Sequence, residues 1–136
     1  MKPIPRTKDA LVLRTDFSDA AAWESVCKAI TAPVGEFRAY VEFLSDPEYE
    51  GISTEQLVSL LPKGSGHTFI FVVDGTTISH PEHPVLCVDL YDKPGRTFRA
   101  LPPQIQVVEN NLSISNMDFR EFADFVDEDG IFCGYA

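Results

Sequence analysis

Two segments, Thr68-Phe69-Ile70-Phe71-Val72-Val73 and Val85-Leu86-Cys87-Val88-Asp89-Leu90-Tyr91, are apolar at almost every position. Side chains of a strand point alternately to its two faces, so a strand apolar throughout must be covered on both sides. A chain with two such strands is committed to a sheet that carries helices on its faces.

The flanking segments supply both kinds of element. Ala10-Leu11-Val12-Leu13-Arg14-Thr15 reads as a strand that ends at Asp16. A helix follows in which Trp23, Val26, Cys27 and Ile30 recur at i, i+3, i+4 and i+7, with Asp16, Ser18 or Asp19 as its cap. Phe37, Ala39, Val41 and Phe43 alternate with Arg38, Tyr40 and Glu42, the period of a strand. Ser53-Thr54-Glu55-Gln56 is a capping box in front of Leu57, Leu60 and Leu61. Lys93-Pro94-Gly95 turns the second apolar strand into an antiparallel partner over residues 96–100. Pro102-Pro103 opens a helix with Ile105, Val108 and Leu112 on one face.

Asp118 and Glu121 box the start of a last helix, whose stripe is Phe119, Phe122, Phe125 and Val126. That helix is expected to run into Asp127, Glu128 and Asp129, where the macrodipole is already negative and each carboxylate costs a few tenths to ~1 kcal/mol. Acids placed against a local rule point to a partner. The fold class expected is α/β (α+β): a single domain over residues 1–136, with residues 1–8 a loose lead-in. Its mixed sheet has about five strands, with helices on its faces.

The 136 residues include 21 Asp and Glu against 11 Lys and Arg, a formal charge of −10. Such a surface repels nucleic acid and anionic membranes and speeds encounter with basic partners. No apolar run approaches the ~18 residues of a membrane span, and Met1-Lys2-Pro3-Ile4-Pro5-Arg6-Thr7-Lys8 leads into no signal-peptide core. Cys27, Cys87 and Cys133 are odd in number and lack C-x-x-C spacing, which argues against a disulfide framework or a zinc knuckle. The expected compartment is the cytoplasm.

Two constellations could hold a divalent metal. His80-Pro81-Glu82-His83 offers two imidazoles and a carboxylate within four residues, though it also has the makings of a rigid turn. Asp16 and Asp74 each follow a strand, and Asp89 lies inside one. If the strands are parallel, Asp16 and Asp74 share the carboxyl edge where open sheets bind ligands and where magnesium takes carboxylates. Asp89, buried, needs a partner, and Arg14 is the expected one. Lys63-Gly64-Ser65-Gly66 runs from helix to strand, the wrong direction for a phosphate cradle. Residues 127–130 lack the spacing of a calcium loop, and no serine sits in a G-x-S-x-G elbow.

Residues 11–19 with Trp23, residues 67–74, His80 to Leu86, and Asn110-Asn111-Leu112-Ser113-Ile114-Ser115-Asn116-Met117-Asp118-Phe119 resemble a family of small uncharacterised bacterial and fungal proteins classed as a domain of unknown function. The resemblance covers nearly the whole chain and implies one intact domain. It implies no activity and assigns no functional residue.

The leading expectation is a non-enzymatic domain, immunity-like or regulatory, that meets a basic partner. Its binding face is expected to be Asp118, Glu121, Asp124, Asp127, Glu128 and Asp129, joined by Asp46, Glu48, Tyr49 and Glu50. The alternative is a small metal-dependent enzyme or metal-binding domain that uses the Asp and His residues above. Neither reading fixes a cofactor beyond that ion, and nothing in the sequence sets an oligomeric state.

Overall fold

The computed structural model describes residues 1–62 and 64–135; Lys63 of the Lys63-to-Gly66 loop and Ala136 lie outside it. Among the described residues the strands are β1 (Ala10–Arg14), β2 (Val41–Leu44), β3 (Phe69–Val73), β4 (Val85–Asp89), β5 (Thr97–Ala100) and β6 (Ile131–Phe132). They form one mixed sheet in the order β2-β1-β3-β4-β5-β6. β1 is parallel to both β2 and β3, β4 is antiparallel to β3 and β5, and β6 is parallel to β5. The helices are α1 (Ala20–Thr31), α2 (Thr54–Ser59), α3 (Gly75–Ser79), α4 (Ile105–Ser113) and α5 (Phe119–Ala123). None of them is long and apolar enough to cross a membrane.

The apolar strands are buried on both faces, as their sequences require. Phe69, Phe71, Val73, Val85 and Cys87 face one core with Val26 and Ile30 of α1, Ile105 and Val108 of α4, and Phe119 and Phe122 of α5. Ile70, Val72 and Val88 face the other with Leu11, Leu13, Tyr49, Leu57 of α2 and Ile4. Burial of each such side chain contributes roughly 1.5–3 kcal/mol.

The lead-in is part of this second layer and is not loose. Ile4 is fully buried and donates its N–H to Leu60 O at 2.9 Å, because an apolar residue is needed to close that core over β1 and β3. The Tyr49 hydroxyl donates toward the Lys2 and Pro3 carbonyls, and Lys2 pairs with Asp46.

Two elements were not foreseen. Asp74, which follows β3, opens α3 at once: its Oδ1 accepts the Thr77 N–H at 3.1 Å and caps the helix. β6 adds a sixth strand. It forms because α5 stops at Ala123, well short of the acids expected at its end. Asp127 Oδ1 accepts the N–H groups of Asp129 and Ile131, and Gly130 adopts φ 78°, so the chain turns back and pairs with β5. Asp127, Glu128 and Asp129 therefore do not oppose a helix dipole, and that part of the sequence argument falls.

Candidate functional site

Parallel pairing of β1 with β3 brings Asp16 and Asp74 to one edge of the sheet, as expected. Asp16 Oδ2 lies so close to α3 that a Cβ on Gly75 would sit 3.2 Å from it. Asp89 is at the opposite edge, because β4 runs antiparallel to β3 and pairs Asp89 with Phe69 at the start of that strand. The three carboxylates cannot meet in one cleft.

Each acid is engaged where it stands. Asp16 Oδ1 accepts from the Ser18 N–H and hydroxyl. Arg99 grips Asp74 with two parallel bonds, Nη1 to Oδ1 at 3.0 Å and Nη2 to Oδ2 at 2.8 Å. The Thr77 hydroxyl lies 3.0 Å from Asp74 Oδ1 and 2.8 Å from Pro84 O, which Arg99 Nη1 also reaches. Burial alone would raise the Asp74 carboxyl, but the Arg99 and Thr77 hydrogen bonds outweigh it and hold the group below the usual carboxylate range. The hollow beside Asp74 measures about 150 Å³, smaller than a substrate site requires.

Arg14 does not partner Asp89. Its guanidinium lies over the rings of Phe17 and Trp23, at 4.4 and 5.2 Å, and donates to Ser45 Oγ and the Asp16 carbonyl. Asp89, 2% exposed, is satisfied by backbone: Oδ1 accepts from Tyr91 and Asp92, Oδ2 from Lys93. It shapes the β4–β5 hairpin loop.

The His80-to-His83 segment is a turn held by its own ring atoms. His80 Nδ1 accepts the Glu82 N–H at 3.0 Å, and His83 Nδ1 lies 2.8 Å from Thr77 O with its backbone at φ 51°. Among the described residues no three His, Cys, Asp or Glu side chains are grouped as ligands for one ion. The thiols are unactivated. Burial pushes Cys27 up to about 11 and drives the fully buried Cys87 higher still; burial and the Asp127 carboxylate raise Cys133.

Asp118, Glu121, Asp124, Asp127, Glu128 and Asp129 are all exposed. Four of them also have internal roles. Asp118 caps α5, and Glu121 Oε2 accepts its N–H; Asp124 pairs with Arg96 at 2.9 Å; Asp127 holds the turn before β6. The side chains of Glu128 and Asp129 make no hydrogen bond or ion pair among the described residues. The same C-terminal segment exposes two rings, Phe125 and Tyr135, with centroids 4.8 Å apart. Asp46, Glu48, Tyr49 and Glu50 do not extend this surface. Tyr49 is buried in the core on the other side of the sheet, so the two acidic segments occupy opposite layers.

Three features escaped the sequence. Arg99, placed only as a hairpin residue, neutralises Asp74. Glu109 is 4% exposed on α4 and accepts from the Tyr40 N–H, Asn110 and Ser113. A cavity of about 690 Å³ opens where β3 begins and β4 ends, beneath the α4–α5 connection. The available signal was the spacing of Lys93, Arg96 and Arg99 within one hairpin of an acidic chain.

The chain belongs to a family described as a domain of unknown function (DUF6924), whose pattern it matches over residues 9–135. A comparison with curated proteins finds no match.

Proposed function

We propose that this DUF6924 domain is a non-enzymatic interaction protein, immunity-like or regulatory, whose acidic C-terminal face binds a basic partner. The observation that carries the reading is that the C-terminal segment 124–135 combines exposed Glu128 and Asp129, whose side chains make no hydrogen bond or ion pair among the described residues, with the exposed, mutually packed Phe125 and Tyr135 rings. Carboxylates raise association rate and specificity, while rigid aromatic rings supply contact area at low entropic cost. The Tyr135 hydroxyl donates to Glu121 O at 2.8 Å, which fixes the ring on the α5 side of the face. The charge balance of −10 supports a protein partner over nucleic acid or a membrane surface. Three unpaired thiols fit a reducing compartment, for which we propose the cytoplasm.

The test is affinity for the basic partner retained on the immobilised full chain at low salt. Reversal of Glu128→Lys together with Asp129→Lys is expected to weaken binding at least tenfold. The same change at Glu55, exposed on α2 in the opposite layer, should leave it within twofold. Equal loss from both variants, or none from either, would refute the assigned face.

A further inference from the structure

The 690 Å³ cavity lies in the size range of small-molecule sites. Its floor is apolar, built from Phe69, Leu112, Met117 and Phe119. Its rim carries Lys93, Arg96 and Arg120, three of the chain's eleven cations around one opening. Arg96 is tied to Asp124 through Nη2, whereas Lys93 and Arg120 form no ion pair among the described residues.

The acids of the lining do not cancel these cations as ligand contacts. Asp89 spends both carboxylate oxygens on three backbone N–H groups, and Asp118 caps α5. Asp92 remains, one carboxylate against two unpaired cations and part of a third. A site with free donors at the rim and aromatic and thioether surface beneath it selects a molecule with an anionic head and an apolar body.

From this juxtaposition we infer that the cavity binds a small amphipathic anion. Its carboxylate or phosphate head meets Lys93 and Arg120, and its hydrocarbon or aromatic body lies over Phe69, Met117 and Phe119. The site adjoins the protein-binding face, sharing Asp118 with it and meeting it at the Arg96–Asp124 pair, but the inference does not rest on that reading, since the cations and the apolar floor come from the start of α5, the α4–α5 connection and the β4–β5 hairpin.

The experiment is a fluorescence titration of the full chain with 8-anilinonaphthalene-1-sulfonate, an apolar anion, followed by displacement. One saturable site is expected, displaced by decanoate or decyl phosphate below their micellar concentrations; the better displacer identifies the head group. Decyltrimethylammonium, with the opposite charge on the same chain, should not displace. Lys93→Ala with Arg120→Ala should weaken binding at least tenfold at unchanged melting temperature, because both residues are exposed. Met117→Trp, which fills the floor, should abolish it. Absence of a saturable site, equal displacement by the ammonium compound, or full affinity in the folded double variant would overturn the proposal.

Discussion

At the residue scale, the carboxylates that stood out in the sequence are mostly structural. Asp74 shows why. A carboxylate at the end of a central strand is a ligand candidate by position, but Arg99 lies on β5, two strands away in the sheet order, and the spacing of the sequence does not reveal that it reaches Asp74. Asp89 was legible as buried and in need of partners; the partners are its own loop's N–H groups, because the hairpin folds back over it. For Asp74 the sign of the pH dependence follows from its lowered folded-state value. Its stabilisation is fully present above the unfolded carboxyl value of ~3.9 and is lost as pH falls through the lower folded value. Asp74→Asn, which leaves the Arg99 charge half-satisfied, should cost roughly 1.5–3 kcal/mol at pH 7. The difference should shrink as pH drops below about 4. Urea midpoints of both proteins at pH 7 and pH 3 check this, and a constant gap would refute the pairing.

At the scale of elements, segments with several residues of one period, or with a capping box as in the six-residue α2, were legible, and short ones without either were not. β1, β3, β4, α1 and the β4–β5 hairpin follow from patterning and turn chemistry, because each carries several residues of one period. α3 has five residues and β6 has two, too few to leave a period. α5 was legible at its start, through the box of Asp118 and Glu121, but its end was set by turn chemistry at Asp127 and Gly130. Five residues cannot sustain a helix alone, so α5 is held by its contacts. Phe122, fully buried, packs against Phe98, Phe132 and Tyr135 with centroids 5.2 to 6.2 Å away. Phe122→Ala should therefore cost about 3–5 kcal/mol. Amide exchange should show protection lost first in 119–135; uniform loss across the sheet would mean that α5 and β6 are not a separate unit.

On the scale of the whole molecule, the charge of −10 is distributed by the sheet. One acidic segment clamps the N-terminus to the α2 layer through Lys2, and the other is displayed beyond α5. The sequence revealed the excess but not its division between layers, which depends on which face of the sheet each loop leaves. The two metal constellations are likewise divided between edges or absorbed into turns. Chelator-stripped protein should accordingly show no melting-temperature rise with magnesium, manganese, zinc or calcium. A rise with one ion, abolished by His83→Ala or Asp74→Ala, would reinstate a metal site; an ion at a hundredfold excess over its dissociation constant would contribute ~2.7 kcal/mol.

The central claim, that the acidic aromatic face beyond α5 is the binding surface, is tested most directly by mapping backbone amide shifts of the labelled full chain on addition of its basic partner. The account predicts perturbations concentrated in residues 118–135, fading as salt is raised and absent when Glu128 and Asp129 are reversed. Perturbations centred on the exposed β2 edge, on the His80-to-His83 turn or on the Lys2 and Asp46 layer would contradict it.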